Sequence, residues 1–127
     1  QQRLLHAPLV GGTGEQARCF GHVKDAVEAI LRLIATPAAV GNVYNVGNDE
    51  EVTILQLAER VRQAAGSASE IRLVPYNEAY AEGFEDMLRR VPDVRRLERT
   101  IGFRPRTPLS EIIADVVADQ RARLAVR

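Results

Sequence analysis

The chain has 127 residues, of which 46% are hydrophobic and 27% are charged. This balance excludes an intrinsically disordered protein and predicts a single domain over residues 1–127 with one modest core. Seventeen Lys and Arg residues balance seventeen Asp and Glu residues, so no net charge favours nucleic acid or an anionic membrane as a partner.

The first predicted elements are two short strands around a glycine-rich turn. Pro8-Leu9-Val10 is apolar, and three glycines between residues 11 and 14 supply the positive-φ conformations that a turn uses. Residues 17–23 then have an extended pattern. We therefore expect a strand, a turn and a second strand, which in its simplest form is a hairpin.

A first helix is predicted to begin at Asp25. Asp25 and Glu28 have the spacing of a capping box, in which two side chains satisfy backbone N–H groups of the first turn. Pro37 ends the pattern, because proline cannot continue a helix. The apolar residues of this helix repeat at helical spacing: Val27, Ile30, Leu31 and Ile34.

A strand, a second helix and a further strand follow. Residues 42–46 (NVYNV) are rich in β-branched and aromatic side chains, which favours a strand. Thr53 and Gln56 form a second capping box, and the apolar stripe that follows them stops at Gly66. Residues 71–74 (IRLV) predict another short strand, which ends before a proline.

The charge of the chain changes sign in its last third. Residues 76–87 are acidic and aromatic and predict a long loop, whereas residues 89–106 contain seven Arg against only Asp93 and Glu98. Asp93 is a suitable cap for a short helix. A terminal helix is expected to start at Thr107-Pro108, as N-cap and first helical residue. Its apolar face is formed by Leu109, Ile112, Ile113, Val116 and Val117.

The sequence offers few residues for metal or nucleophile chemistry. His6 and His22 lie outside any metal-binding spacing, and Cys19 is the sole cysteine. The glycine-rich turn lacks the G-K-[ST] ending of a phosphate loop, and no serine lies in a G-x-S-x-G elbow. We therefore expect no metal site and no catalytic residue. The lack of a long apolar run or a signal-peptide pattern favours a cytoplasmic location.

Arginines are the remaining candidates for ligand binding. Arg18 follows the glycine-rich turn, and Arg89 and Arg90 follow the acidic loop. A guanidinium group presents five donors in a planar fork, which suits the oxygens of a diphosphate. The alternative is that these arginines lie at the surface and pair with neighbouring carboxylates such as Glu85 and Asp86. The residues alone leave both interpretations open.

Several segments together resemble one known family. Residues 8–25 are similar to the signature PLxVxGdGxQxRxFxyVxD of the NAD-dependent epimerase/dehydratase family, whose members are extended short-chain dehydrogenases acting on nucleotide sugars. Later segments resemble further blocks of that family in the same order. They are GNVYNVGN at 41–48, TILQLA at 53–58, RVPD at 90–93 and IGFRP at 101–105.

The resemblance implies an α/β fold, the small C-terminal substrate-binding domain of an extended short-chain dehydrogenase, with three to four helices and short strands. The family's N-terminal Rossmann half, which binds the dinucleotide, would be absent. No tyrosine here is followed four positions later by lysine, so the family's Tyr-x-x-x-Lys pair is absent as well. NAD(P) would then bind only in the intact enzyme, and this chain alone would bind no cofactor and be inactive.

The resemblance also implies a ligand, a nucleotide sugar linked to UDP, GDP or dTDP. Arg18 and Arg90 match family positions that reach the substrate diphosphate. The backbone of Leu9 and Val10 matches a strand that lies near the nucleotide base. His22 is assigned a role in packing and orientation.

Two functions are compatible with this resemblance. The leading expectation is the nucleotide-sugar-binding portion of an NAD(P)-dependent epimerase, dehydratase or decarboxylase. The alternative is a non-catalytic module, derived from that family, which serves oligomerisation or partner binding. In the family, the strand matching residues 42–46 joins the sheet of the cofactor half. Without that sheet an edge and an apolar face would be exposed, so we expect a homo-oligomer or partial disorder.

Overall fold

The computed structural model describes residues 9–75 and 87–125 of the chain. Within these residues the fold is α/β, with four α-helices and short strands, as the resemblance predicted. The strands are β1 (Leu9–Gly11), β2 (Ala17–Cys19), β3 (Glu51–Thr53) and β4 (Arg72–Val74). The helices are α1 (Val23–Ile34), α2 (Ile54–Ala64), α3 (Arg95–Ile101) and α4 (Leu109–Ala125), with a 3₁₀ turn at Pro37–Ala39.

The chain forms two compact units. The first consists of Gln1–Arg18, Val52–Arg89 and Ile113–Arg127, and the second of Cys19–Glu51 and Arg90–Ile112. The predicted acidic loop at 76–87 lies outside the described residues except for Met87, which is exposed. None of the helices in the described ranges is both long and apolar enough to cross a bilayer.

In the first unit, the strands pair differently from the predicted hairpin. β1 pairs in parallel with β4, with Leu9 opposite Arg72, and the N–H of Gly12 continues the ladder to the carbonyl of Val74 at 2.7 Å. β2 instead forms a sheet with β3. The hairpin prediction is therefore wrong. The strand after the glycine-rich turn does not pair with β1, because carbonyl groups of the turn accept N–H groups at the start of α2.

The capping box predicted for α2 is confirmed. Thr53 Oγ1 accepts the N–H of Gln56 at 3.1 Å, and the Gln56 side chain accepts the N–H of Thr53 at 3.0 Å. The next two donors of the first turn bond the glycine-rich turn. The N–H of Ile54 donates to the carbonyl of Gln16, and that of Leu55 to the carbonyl of Gly14, each at 3.0 Å.

Gly14 allows this close contact between the turn and the helix. Its φ of +73° is a conformation that residues with a side chain rarely adopt. A Cβ atom at this position would lie 2.9 Å from Leu55 Cβ and 3.0 Å from Val10 Cγ1. Glycine is therefore required here both for its backbone conformation and for its lack of a side chain.

The second unit differs from the prediction at the start of α1. The helix begins at Val23, and its N-cap is His22, whose Nδ1 accepts the N–H of Lys24 at 3.0 Å. The predicted cap at Asp25 is wrong, because the Asp25 carboxylate binds N–H groups of a later segment instead. Asp25 is buried, with 9% of its surface exposed.

Residues 42–46 form a loop rather than the predicted strand. Hydrogen bonds join this loop to the segment before α3 and to α3 itself. Asn45 Nδ2 donates to the carbonyl of Asp93 at 3.2 Å, and Arg96 Nη1 donates to the carbonyl of Val43 at 3.1 Å. The Arg96 guanidinium also lies over the Tyr44 ring, 5.2 Å from its centre. Because these groups occupy the loop, its high β-propensity does not lead to strand pairing.

The ends of α3 and α4 agree closely with the sequence pattern. Asp93 Oδ1 accepts the N–H of Arg95, the first helical residue, at 3.0 Å, although the N-cap position itself is Val94. Gly102 ends α3 with a φ of +64°. α4 starts at Leu109, one residue later than expected.

One face of α1 is apolar and exposed. Val23 is 71% exposed at the start of the helix and Ile34 is 78% exposed at its end. We name this row the α1 stripe; it consists of Val23, Val27, Ile30, Leu31 and Ile34. The core of the second unit is instead built from small and medium side chains, among them Ala29, Ala39, Val94, Leu97 and Leu109.

Gly14→Ala is expected to lower the free energy of unfolding by about 2–4 kcal/mol, because it adds steric overlap to an unfavourable φ. The matched control is Gly66→Ala, since Gly66 has a φ of +60° but no atom within 4 Å of the added Cβ. That control should cost about 1–2 kcal/mol. Urea denaturation measures both, and equal losses would contradict the proposed close contact.

Candidate functional site

Arg18 lies on β2 in the first unit. The residue is half-buried, and its Nη1 donates to the carbonyl of the adjacent Ala17 at 2.7 Å. Ala17 forms an isolated parallel bridge with Arg89, and its N–H donates to the carbonyl of Leu88 at 2.8 Å. The backbone at residues 88–89 therefore runs beside β2.

Arg90, the second predicted diphosphate ligand, directly follows the bridge residue Arg89. Arg90 is exposed and begins the last segment of the second unit, whereas Arg18 belongs to the first unit. The two predicted ligands therefore lie in different units of the chain.

Leu9 and Val10, predicted to lie near a nucleotide base, form β1. The side chain of Val10 is buried, with 2% exposed, and belongs to the core of the first unit. The backbone of β1 is paired with β4 along its length. Val10 can therefore contact a ligand only through main-chain atoms.

The glycine-rich turn is not built as a phosphate loop. A phosphate loop presents unbonded N–H groups at a helix N-terminus to the anion. The helix after this turn is α2, and its first N–H groups are bonded to the carbonyls of Gly14 and Gln16 and to the side chain of Thr53. The described part of the turn consequently does not fit the pyrophosphate of NAD(P).

A buried carboxylate organises the second unit. Asp25 Oδ2 accepts the N–H of Thr107 at 3.0 Å and that of Arg106 at 3.2 Å. Burial alone raises the pKa of Asp25, but hydrogen bonds from Thr107 and Arg106 and the positive charge of Lys24 outweigh it. The pKa of Asp25 therefore lies below its ordinary value of 3.8, and the charged form stabilises the fold.

Two further side chains hold the same segment. Asn48 Nδ2 donates to the carbonyl of Thr107 at 2.8 Å, and Asn48 Oδ1 accepts the N–H of Glu50 at 2.9 Å. Glu50 Oε2 in turn accepts the N–H of Leu109, the first residue of α4, at 2.8 Å. Sequence reasoning missed this polar network. The signal available was the position of Asn48 in the segment GNVYNVGN, which resembles a family block.

A cleft of about 470 Å³ opens beside this network in the second unit. Arg104 Nη1 lies 2.9 Å from Asp49 Oδ2, and Arg106 Nη2 lies 2.7 Å from Glu98 Oε1. Because each guanidinium is paired with a carboxylate, the cleft provides no excess positive charge for an anion. Its lining residues are Asp25, Glu98, Gly102, Phe103, Arg104, Arg106 and Thr107.

Metal-binding side chains do not cluster in the described part of the chain. No group of three or more His, Cys, Asp or Glu residues that could hold a metal ion occurs in residues 9–75 and 87–125. The arginines remain the candidate ligand-binding groups.

Comparison with known proteins identifies the family. A family model described as GDP-mannose 4,6 dehydratase matches residues 2–116. The chain belongs to the NAD-dependent epimerase/dehydratase family. This confirms the family that the sequence segments predicted.

Two proteins of this family are similar to the chain in sequence. The chain is 38% identical to UDP-N-acetyl-alpha-D-glucosaminuronate decarboxylase of Bacillus cytotoxicus, over 76% of this chain and 30% of that protein. It is 36% identical to UDP-D-apiose/UDP-D-xylose synthase 2 of Arabidopsis thaliana, over 92% of this chain and 32% of that protein. The chain thus spans about a third of the length of these family members.

Solved structures of the family agree with the fold. The structure of RMD from Pseudomonas aeruginosa complexed with NADPH superposes with a TM-score of 0.75 at 27% identity, covering 91% of this chain and 36% of that one. UDP-glucose 4-epimerase of Thermotoga maritima, solved with UDP-glucose, gives 0.80 at 24% identity over 93% and 36% of the two chains. At 24% identity, the similarity to the Thermotoga maritima enzyme shows only that the fold is shared.

Asp25→Asn is expected to lower the free energy of unfolding at pH 7 by about 1–3 kcal/mol, since an amide cannot accept both N–H groups as well as a carboxylate. Asp25 has a lowered pKa in the folded state, so its contribution is present above the unfolded value and is lost as pH falls through the folded one. The variant should therefore lose less stability than the parent as pH falls from about 5 to 3.

Asp119→Asn is the control for this measurement. Asp119 pairs with Arg123 on α4, and both side chains are at least 50% exposed. Removing such an exposed pair changes stability by about 0.5 kcal/mol or less. Urea unfolding followed by circular dichroism at several pH values measures all three proteins. Parallel pH profiles for Asp25→Asn and the parent would contradict the role assigned to Asp25.

Proposed function

We propose that this chain is the nucleotide-sugar-binding part of an NAD(P)-dependent epimerase, dehydratase or decarboxylase. The observation that carries the proposal is the family match over residues 2–116, which includes both candidate arginines. Among UDP-, GDP- and dTDP-linked sugars, we favour a UDP-linked sugar. The two family members described above are named for UDP-linked sugars.

Arg18 and Arg90 are the proposed ligands of the diphosphate. Arg18 directly follows Ala17, whose bridge to Arg89 supports a fixed backbone position for β2. Their guanidinium groups would donate charge-assisted hydrogen bonds to the phosphate oxygens. Leu9 and Val10 would contact the base through their main chain, since the Val10 side chain is buried.

The role of the diphosphate contacts is to position the sugar. A nucleotide sugar fixed at its two phosphates loses most of its freedom of translation, so its reactive sugar carbon is held in one place. The N–H groups at the start of α2 are already bonded, so this helix start offers none to the pyrophosphate of NAD(P). Because the chain spans about a third of the length of its relatives, we propose that the cofactor is bound by other parts of an intact enzyme and that this chain alone is inactive.

The α1 stripe favours a second candidate, a non-catalytic module for oligomerisation or partner binding. Contiguous exposed apolar surface is unusual on a soluble monomer and marks interaction sites. Under either function, we propose that the isolated 127-residue domain is a cytoplasmic protein that self-associates, without nucleic acid or a membrane as partner.

Isothermal titration calorimetry with UDP-glucose, UDP-glucuronate, GDP-mannose and dTDP-glucose tests the first function. Binding of at least one ligand is expected, and Arg18→Ala or Arg90→Ala should weaken it about 10- to 100-fold, since a hydrogen bond to a charged group contributes about 1.5–3 kcal/mol. The controls are Arg72→Ala on β4 and Arg99→Ala on α3, which change exposed arginines and should leave the affinity unchanged. Absence of binding to all four ligands would instead favour the non-catalytic module.

Size-exclusion chromatography with light scattering tests self-association. We expect a mass above the 14.0 kDa of one chain. The double variant Ile30→Lys with Ile34→Lys should shift the mass toward that of the monomer, because it places charge in the α1 stripe. Val116→Lys is the control, since Val116 is also exposed, at 55%, but lies on α4. A compact monomer in the unaltered protein would overturn the expectation.

A further inference from the structure

The α1 stripe lies on the outer face of its helix. On the opposite face, Asp25 and Ala29 are buried in the second unit. An amphipathic surface helix ordinarily turns its apolar side chains toward the core. In α1 the buried face carries a carboxylate and a small side chain, while the large aliphatic side chains point outward. An exposed apolar row of this kind marks an interaction surface.

The spacing of the stripe is that of a short coiled-coil seam. Val23, Val27, Ile30 and Ile34 follow one another at intervals of four, three and four residues. In a coiled coil, the two seam positions of each heptad recur at alternating intervals of three and four. Leu31 lies beside this seam and widens it. The pattern therefore fits a second helix as the partner of α1.

The seam has the same intervals when it is read backwards. If two copies of α1 lie antiparallel about their midpoint, Val23 faces Ile34 of the second copy, and Val27 faces Ile30. Each facing pair then joins one valine to one isoleucine, so every layer of the seam has the same volume. A parallel pair would place valine against valine at one end and isoleucine against isoleucine at the other. The equal layers favour the antiparallel arrangement, because close packing tolerates few changes of volume.

We propose that two copies of this chain associate through an antiparallel pair of α1 helices, related by a two-fold axis at the helix midpoint. The inference rests on the self-association proposed above and names its partner, its geometry and its stoichiometry. A two-fold interface uses the same patch on both copies, so it closes at two chains. Antiparallel helices also bring the opposite ends of their dipoles together.

The charged side chains of α1 do not oppose this pairing. Arg32 Nε lies 2.6 Å from Glu28 Oε1, and the Arg32 guanidinium lies 4.8 Å from the centre of the Phe103 ring. Lys24 forms an ion pair with Glu111. Because these charges have partners within their own chain, a second copy can cover the stripe without burying an unpaired charge.

The area of the stripe is sufficient for a small specific dimer. Exposure of its five side chains ranges from 49% at Val27 to 78% at Ile34. They present roughly 500 Å² per copy, so a symmetric pair covers roughly 1,000 Å², which is the lower end of specific protein interfaces. The dimer is therefore expected to dissociate on dilution.

Disulfide mapping tests the pairing. The background is Cys19→Ser, which removes the sole cysteine. In this background Val27→Cys and Ile30→Cys are made separately, mixed in equal amounts and oxidised. Facing positions 27 and 30 lie within reach of a disulfide, whereas equal positions are displaced by about 4.5 Å along the helix axis. The disulfide that joins position 27 to position 30 should exceed each same-position product about tenfold, against about twofold for random collision.

Val116→Cys is the matched control, since Val116 is also exposed, at 55%, but lies on α4 outside the stripe. Mixed with Ile30→Cys, it should give only the products of random collision. Val23→Cys with Ile34→Cys provides a second facing pair at the ends of the seam, and it should show the same preference even if the central variants fold poorly.

Two results would overturn the antiparallel pair. One is a yield of same-position disulfides that equals or exceeds the mixed disulfide, and the other is no cross-linking above the Val116→Cys control. Light scattering of the unaltered chain separates this failure from that of self-association. A mass of twice 14.0 kDa without the expected disulfides overturns only the pairing geometry, whereas a monomer overturns both. Neither result affects the titrations with nucleotide sugars.

Discussion

The Asp25 carboxylate and the two N–H groups that it accepts fix the second unit. A buried charge is costly unless it is fully hydrogen-bonded, so this contact specifies one partner segment and disfavours others. That segment leads into α4, whose first N–H bonds Glu50, while Asn48 binds the carbonyl of Thr107. Side chains from α1 and from the loop before β3 thus determine where the last helix begins.

Local features of the fold could be predicted from the sequence, whereas long-range pairing could not. The Thr53–Gln56 capping box and the end of α3 at Gly102 depend on residues close in the chain, and both occur as expected. The hairpin was wrong because a glycine turn indicates a change of direction without identifying the strand that pairs. Residues 42–46 have strand-forming side chains, but Arg96 and Asp93 bind them as a loop.

In the candidate site, too, local sequence patterns did not identify the long-range contacts. Arg18 and Arg90 are candidates from residue type alone, and only the family resemblance proposes them as diphosphate ligands, since an arginine in isolation has no distinctive pattern. The predicted cap at Asp25 is wrong because its spacing from Glu28 has the form of a capping box, while its actual partners lie 81 and 82 residues further along the chain. His22, the true cap, has a side chain that propensity ranks do not associate with helix starts. A hydrogen bond to a backbone N–H group that lies far away in the sequence cannot be predicted from the residue types.

The α1 stripe has a thermodynamic consequence for any surface that covers it. Removing apolar side chains from water lowers the heat capacity, so association through this face should carry a negative heat-capacity change. Near room temperature the driving force would be almost entirely entropic, and it would weaken on cooling. A complex held by this row of side chains is therefore expected to loosen in the cold, in contrast to one held by ion pairs.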